Sequence, residues 1–186
     1  RSQVRILSRS QSKKMNQFEL WRYKKTLSFI KKHVNSSEKI LDLGTENDLS
    51  KFIRTNGYNV SNTNGENLDI CFDAVQNNKY DVITSFEIFE HMFAPFNILR
   101  EINAKKIIAS VPLKLWFADA YWNMDDDWDK HYHEFEKKQF DLLLKKTGWS
   151  IIDSEKWIPK TQFKLGLRPI LRMFTNRYYI VYCERL

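Results

Sequence analysis

The stretch from Lys39 to Asn47 constrains the fold more than any other part of this chain of 186 residues. Apolar residues lead up to Asp42, a glycine stands at position 44, and a polar turn then leads into a helical pattern. This order is typical of a buried strand that ends in a tight turn, where glycine lets a ligand approach the backbone. We therefore expect the chain to build a sheet around this turn.

Apolar periodicity predicts strands and helices that alternate along most of the chain. The predicted helices cover residues 15–34, 47–56, 95–102 and 135–147, and the predicted strands cover residues 39–43, 58–63, 80–86, 106–111, 149–158 and 178–183. After the second strand, Asn64-Gly65 makes a turn and the segment 68–72 follows almost at once, so a full crossover helix does not fit between them. The pattern predicts an α/β fold with a doubly wound, mostly parallel sheet and a shortened second crossover. Ligands of such sheets bind beyond the carboxyl ends of the strands.

Charge is distributed unevenly along the chain. The net charge is +7. Residues 1–32 contain ten Lys and Arg and one acidic residue, and residues 160–186 contain six Lys and Arg and one acidic residue. The middle of the chain is therefore acidic, which argues against a nucleic-acid footprint over the whole domain. No apolar run approaches the roughly 20 residues that span a bilayer, and Cys71 and Cys183 show no metal-ligand spacing. We expect a cytoplasmic protein with reduced thiols.

Several weak motifs in a fixed order resemble the class I S-adenosylmethionine-dependent methyltransferases. They lie at residues 41–44 (Leu-Asp-Leu-Gly), 80–91, 107–112, 133–135 and 148–149. The resemblance covers residues 38–158 and a last strand at 178–184. It implies a Rossmann-like sheet of seven strands with the last one antiparallel. We predict a basic arm and helix at 1–37 and a methyltransferase-like domain at 38–186, with a basic and apolar insertion at 160–177.

The resemblance also implies which residues bind the cofactor, S-adenosyl-L-methionine. These are Asp42, Leu43, Gly44, Thr45, Glu46, Asn62, Thr63, Asp69, Ile70, Ser85, Phe86 and Glu87. Two of them depart from the family pattern, so the glycine-rich turn is degenerate. Glu46 replaces the usual second glycine, and Asn62 stands where the family has an acid for the ribose hydroxyls. Either the turn still admits the methionine end of the cofactor, or the site has decayed.

The sharpest local pattern is Glu87-x-x-Glu90-His91. At helical spacing, these three side chains would share one face, and with His131 or His133 they form a set that can bind a divalent cation. Some O-methyltransferases of the family use such a set. In many relatives the same residues support the cofactor loop, so a metal is not favoured. The histidines His91, His131 and His133 are the candidate catalytic residues, because a neutral imidazole can accept the proton of a hydroxyl nucleophile.

The function predicted from the sequence is methylation of a small molecule by S-adenosyl-L-methionine, with oxygen favoured over nitrogen as acceptor. One alternative is a catalytically degenerate methyltransferase-like binding domain, and another is an RNA methyltransferase that uses the basic arm, although nucleic acid is the less favoured partner. The basic and apolar residues at 163–174 suit an anionic or lipid-linked substrate or peripheral membrane contact. They also suit packing against the sheet edge or a sister subunit. The oligomeric state is left open.

Overall fold

A computed structural model describes residues 16–160 and 166–186 of the chain. Its described strands are β1 (Lys39–Asp42), β2 (Asn59–Asn62), β3 (Val82–Phe86), β4 (Lys106–Pro112), β5 (Trp149–Trp157) and β6 (Tyr178–Arg185). Its described α-helices are α1 (Gln17–His33), α2 (Asp48–Thr55), α3 (Asp73–Gln76), α4 (Pro95–Glu101), α5 (Lys137–Lys146) and α6 (Leu167–Phe174). The alternation predicted from the sequence is therefore present.

The strands form one mixed sheet in the order β2-β1-β3-β4-β6-β5. The first four in this order are parallel, and β6 runs antiparallel to both β4 and β5. The predicted α/β doubly wound sheet with an antiparallel last strand is confirmed. The predicted count of seven strands is wrong for the described residues, which form six. Between β2 and β3 the chain makes only turns and the four-residue helix α3, which is too short a connection for a further strand and its helix.

Local signals set the helix that follows the central turn. The side-chain oxygen of Asn47 accepts hydrogen bonds from the backbone N–H groups of Leu49 and Ser50, both at 3.0 Å, and so caps the start of α2. An Asn cap of this kind satisfies amides that have no partner within the helix. Gly57, with φ of +93°, follows the end of the helix in the left-handed region that favours glycine. The turn and α2 are therefore specified by adjacent sequence.

Helices cover both faces of the sheet. On one face, α1 and α2 pack against strand residues such as Ile40, Val82 and Ile180. On the other, α3, α4 and α5 pack against residues such as Ile83 and Val181. Because β1, β2, β3 and β4 are parallel, their carboxyl ends meet at one edge, and that edge carries the predicted site. No helix among residues 16–160 and 166–186 is long and apolar enough to cross a membrane.

Candidate active site

The turn after β1 is held by backbone geometry that requires glycine. Gly44 has φ of +95°, and a Cβ atom there would lie 3.3 Å from Cδ1 of Ile88. Its N–H donates to Oγ1 of Thr63 at 2.8 Å, and the N–H of Leu43 donates to the carbonyl of Thr84 at 2.8 Å. The turn is thus fastened to the ends of β2 and β3, and the backbone stays uncovered by a side chain at Gly44. The next residue, Thr45, is partly buried.

Asp42 lies at the centre of this hydrogen-bond arrangement and is only 2% exposed. Its carboxylate accepts hydrogen bonds from Oγ1 of Thr84 at 2.7 Å and from Nδ2 of Asn62 at 3.1 Å. Burial raises the pKa of Asp42 from 3.8 to about 7, and the hydrogen bonds from Thr84 and Asn62 oppose this rise. Asp42 therefore orients the turn rather than presenting a free carboxylate.

The side chain of Glu46 is directed to α2. Its carboxylate accepts a hydrogen bond from Nη1 of Arg54 at 2.5 Å and lies 3.6 Å from Nζ of Lys51. The hydrogen bond from Arg54 lowers the pKa of Glu46, so the carboxylate is charged and paired. Arg54 was not identified from the sequence. The signal that could have found it is the pair Lys51 and Arg54, which lie three residues apart and therefore on one face of the helix after the turn.

Asn62, at the end of β2, also contacts Arg54. Its side-chain oxygen accepts a hydrogen bond from Nη2 of Arg54 at 3.3 Å. Its amide nitrogen donates to Asp42 and, at 3.3 Å, to the carbonyl of Gly44. Each polar atom of the Asn62 side chain thus has a partner within the protein. Its predicted contact with the cofactor ribose stays a prediction. The side-chain oxygen can accept a second hydrogen bond, whereas both hydrogens of the amide nitrogen are already donated.

The remaining predicted cofactor residues surround the same edge. The carboxylate of Asp69 accepts hydrogen bonds from the N–H groups of Ala94 at 2.7 Å and Phe93 at 3.1 Å, which lie just before α4. Ile70, next to Asp69, is 76% exposed, and its predicted contact with the cofactor stays a prediction. The hydroxyl of Ser85 is buried and has no hydrogen-bond partner among the described residues.

Glu87 follows β3 with φ of +57°, in the left-handed region that is unusual for a non-glycine residue. Its Oε1 accepts a hydrogen bond from Oγ of Ser110 at 2.8 Å. Burial raises the pKa of Glu87, and the charge of Arg22 opposes the rise. The predicted helical face of Glu87, Glu90 and His91 is wrong, because only residues Phe89–His91 form a 3₁₀ turn and Glu87 precedes it.

Glu87 borders a small cleft beneath α1. The cleft is partly open to solvent and is lined by Arg22, Thr26, Leu49, Phe86, Glu87, Ser110, Trp157 and Tyr178. The guanidinium of Arg22 lies 5.7 Å from the centre of the Tyr178 ring. Helix α1 therefore supplies a charged wall to the predicted site, which the sequence pattern of an amphipathic helix did not indicate.

Glu90, His91 and His131 come together at the 3₁₀ turn that follows β3. One ligand atom from each lies within 4.8 Å of the others. Glu90 is 1% exposed, its Oε1 lies 3.8 Å from Nε2 of His91, and its Oε2 has no partner among the described residues. Burial raises the pKa of Glu90 well above its ordinary value, and the charge of Glu87 adds to the rise. A buried carboxylate oxygen without a partner among the described residues is costly, so a proton, a water molecule or an ion is expected at this oxygen.

The two imidazoles are oriented by their own hydrogen bonds. Nδ1 of His91 donates to the carbonyl of Lys130 at 3.0 Å, and Nδ1 of His131 donates to Oε1 of Glu134 at 2.9 Å. In a neutral imidazole this arrangement leaves the lone pair on Nε2 of each ring. Burial lowers the pKa of His91, and the charge of His131 lowers it further. His133 lies outside this cluster, with Nε2 at 3.3 Å from the carbonyl of Phe93.

Several solved methyltransferases have a similar fold. An S-adenosylmethionine-dependent methyltransferase of Mesorhizobium loti is 11% identical, with a TM-score of 0.53 over 85% of this chain and 96% of its own. Magnesium protoporphyrin IX methyltransferase of Synechocystis, solved with bound S-adenosylhomocysteine, is 11% identical, with a TM-score of 0.53 over 91% and 84%. Geranyl diphosphate C-methyltransferase of Streptomyces coelicolor is 9% identical, with a TM-score of 0.53 over 90% and 81%. At these identities the likeness concerns the fold.

A methyltransferase-domain family model matches residues 15–154, and the chain belongs to this family. No curated protein matches the sequence significantly. The class predicted from the sequence, class I S-adenosylmethionine-dependent methyltransferases, is confirmed, and with it the predicted cofactor. The match includes α1, which lies before the stretch on which the sequence resemblance was based.

Proposed function

We propose that this protein transfers the methyl group of S-adenosylmethionine to an oxygen atom of a small molecule. The observation that carries the proposal is the cluster of Glu90, His91 and His131 at the carboxyl edge of the sheet. It lies next to Glu87, which follows the cofactor residues of β3. A hydroxyl nucleophile must lose its proton when it attacks the methyl group. Two oriented imidazoles and a carboxylate with an unpaired oxygen are groups that can receive it.

In this proposal the turn and the cluster have separate tasks. Gly44 leaves room at the turn for the methionine end of the cofactor, while Thr63 and Asn62 keep the turn fixed. Methyl transfer needs the acceptor, the methyl carbon and the sulfur in line, which is a matter of positioning. Glu87, held at positive φ by its bond to Ser110, forms the wall between the turn and the cluster.

The cluster also fits a divalent cation. Glu90 offers an unpaired oxygen, each imidazole offers Nε2, and the opposite nitrogens are held by a carbonyl and a carboxylate, as is usual for metal-binding histidines. We therefore propose Glu90, His91 and His131 as the ligands. With a cation bound, these three groups would be ligands and would no longer receive the proton, and the cation itself would favour the deprotonated form of an acceptor hydroxyl. Glu87 and His133, which the sequence had grouped with them, lie outside this set.

The test of the proposed function is calorimetric titration of the purified protein with S-adenosylhomocysteine, with and without Mn²⁺. We expect saturable binding of S-adenosylhomocysteine, and of Mn²⁺ alone. A matched pair of variants, Gly44→Val and Gly57→Val, locates the site. Both glycines have positive φ, but only position 44 adjoins the turn. Equal loss of S-adenosylhomocysteine binding in both variants, or no binding by the wild type at millimolar ligand, would contradict the proposal.

Arg54→Ala is expected to weaken S-adenosylhomocysteine binding by roughly tenfold, because like charges brought together at a binding site oppose association. Without Arg54, the carboxylate of Glu46 loses its main partner and is free to turn towards the carboxylate of the ligand. The double variant Arg54→Ala with Glu46→Ala should recover part of the affinity. Lys51→Ala, which removes the longer contact at 3.6 Å, is the control and should change affinity little. A double variant as weak as the single one would show that Glu46 is not the cause.

A second candidate is a methyltransferase-like domain that binds partners without catalysis. The observation that favours it is the Asn62 side chain, whose polar atoms are occupied by Asp42, Gly44 and Arg54. The same titration separates the two functions, because a binding domain of this kind would show neither S-adenosylhomocysteine nor Mn²⁺ binding.

A further inference from the structure

Helix α6 lies at the same edge of the sheet as the candidate site. Strand β5 ends at Trp157 and β6 begins at Tyr178, and these two residues pair with each other in the antiparallel ladder. The connection between them leaves the sheet and returns to it at this edge. Within the connection the structure describes residues 158–160 and 166–177, which include α6. Trp157 and Tyr178 both line the cleft beneath α1. Whatever α6 contacts is therefore close to the site.

The apolar residues of α6 are not buried against the described part of the chain. Leu167, Ile170, Leu171 and Phe174 follow helical spacing and share one face. Leu167 is 76% exposed and Phe174 is 77% exposed, and α6 has no buried residue. Neither of the two core clusters includes a residue of this helix. An amphipathic helix of a globular protein normally buries this face, so the face of α6 is a contact surface.

The charges around this face are of one sign. Arg168 and Arg172 are exposed and lie one turn apart on α6. Residues 158–177 contain five Lys and Arg and no acid. Residues 1–15 contain five more and no acid, and they lead directly into α1. The first turns of α1 reach the same edge, because Trp21 packs edge-on against Trp157 at 6.4 Å. The α1 helix and the connection that carries α6 therefore both meet the sheet near Trp157.

We infer that α6 binds the surface of an anionic lipid bilayer, with its apolar face among the acyl chains and its arginines at the phosphate groups. Helices with an apolar face and a basic face lie in this way at membrane interfaces. A second copy of the chain is a poorer occupant, since a symmetric contact through α6 would bring Arg168 and Arg172 towards their own copies with no acid in the segment. The inference does not depend on methyl transfer. It would place the candidate site next to the bilayer, where a lipid-linked acceptor can reach it.

The test is sedimentation of the full-length protein with vesicles of phosphatidylcholine, with and without phosphatidylglycerol. We expect binding only when phosphatidylglycerol is present, and weaker binding as salt is raised. Arg168→Gln with Arg172→Gln should lower the binding constant roughly thirtyfold, since each basic residue near an anionic surface strengthens binding about fivefold. The control is Lys145→Gln with Lys146→Gln, which removes two exposed charges from the last turn of α5.

A second pair of variants tests the apolar face. Leu167→Ser with Phe174→Ser should abolish sedimentation, while Leu142→Ser, on an exposed position of α5, should not change it. All of these positions are exposed, so each variant should unfold as the wild type does, and matching unfolding curves would show that the variants are folded. Equal binding by the α6 variants and their controls would overturn the inference. So would a dimer in light scattering that the Leu167→Ser/Phe174→Ser variant dissociates while its vesicle binding persists, because α6 would then join two copies.

Discussion

Replacing Glu90 by glutamine is expected to lower the affinity for Mn²⁺ more than about 100-fold. Mutation of a residue that only hydrogen-bonds to a metal ligand lowers metal affinity by up to about 100-fold, and loss of a ligand itself should cost more. Glu90 supplies the carboxylate oxygen that has no protein partner, and an amide is a poor ligand for a hard cation. His131→Ala should have a comparable effect. Calorimetric or fluorescence titration with Mn²⁺ measures both. Binding of S-adenosylhomocysteine in a chelator should change little, because its predicted contacts lie at the turn and not in the cluster.

Two variants are matched controls for this prediction. Glu87→Gln and His133→Ala alter residues of the same sequence motif that lie outside the cluster of ligand atoms. Both should bind Mn²⁺ as the wild type does. If Glu87→Gln abolishes binding while Glu90→Gln does not, the ligand assignment is wrong.

At pH 8 and without metal, the Glu90→Gln variant should be at least as stable as the wild type. Burial and the charge of Glu87 raise the pKa of Glu90, so its ionised form is unfavourable in the folded protein. An acid whose pKa is raised on folding reduces stability as the pH rises past its ordinary value. The amide of the Glu90→Gln variant carries no such charge. Urea unfolding in a chelator would contradict this account if Glu90→Gln lowered the free energy of unfolding more at pH 8 than at pH 5.

The second large effect is a loss of stability between pH 5 and pH 8 in the metal-free, cofactor-free protein. Asp42 has an ordinary pKa of 3.8 and a pKa of about 7 in the fold. Between these values the folded protein holds a proton that the unfolded chain has released, so unfolding releases a proton and rising pH favours it. From pH 5 to pH 8 this group alone should remove about 3 kcal/mol from the free energy of unfolding.

Other groups modify the pH profile, and a variant isolates Asp42. Glu87 and Glu90 act in the same direction, whereas His91, whose pKa is lowered, destabilises the protein as the pH falls. Asp42→Asn removes the titrating group, so its profile should be flatter than that of the wild type by the contribution of Asp42. Asp119→Asn, in an exposed loop, is the control for net charge. Parallel profiles for the wild type and Asp42→Asn would mean that Asp42 is ionised throughout the range.

The sequence predicted the sheet because its signals are local. Short apolar runs before Asp42 and Ser85 specify strands that are buried on both faces, and Asn47 and Gly57 specify the limits of α2. The family resemblance added the antiparallel last strand. It also led to a seventh strand that residues 63–81 do not form, because the chain there has turn-forming residues and only one short helix.

The candidate site was predictable only in part, because its geometry depends on contacts between distant residues. Helical spacing grouped Glu87 with Glu90 and His91, but a left-handed backbone at Glu87 removes it from that face. His131 joins Glu90 because the loop after β4 returns to the 3₁₀ turn, where the N–H of Tyr132 donates to the carbonyl of Glu90 at 2.8 Å. Periodicity does not encode such a return. Nor did the sequence show that Arg54 would bind both Glu46 and Asn62.

The sequence alone therefore determined the class of fold, the position of the turn after β1 and the strand ends that meet at the carboxyl edge. Apolar spacing, caps and glycines act within a few residues and can be recognised without coordinates. Only the tertiary structure decided that Glu46 is paired with α2, that Glu90 has an unpaired buried oxygen, and that the apolar face of α6 is exposed. The physical reason is that pairing, burial and exposure depend on neighbours brought together by folding, which lie up to dozens of residues apart in the chain.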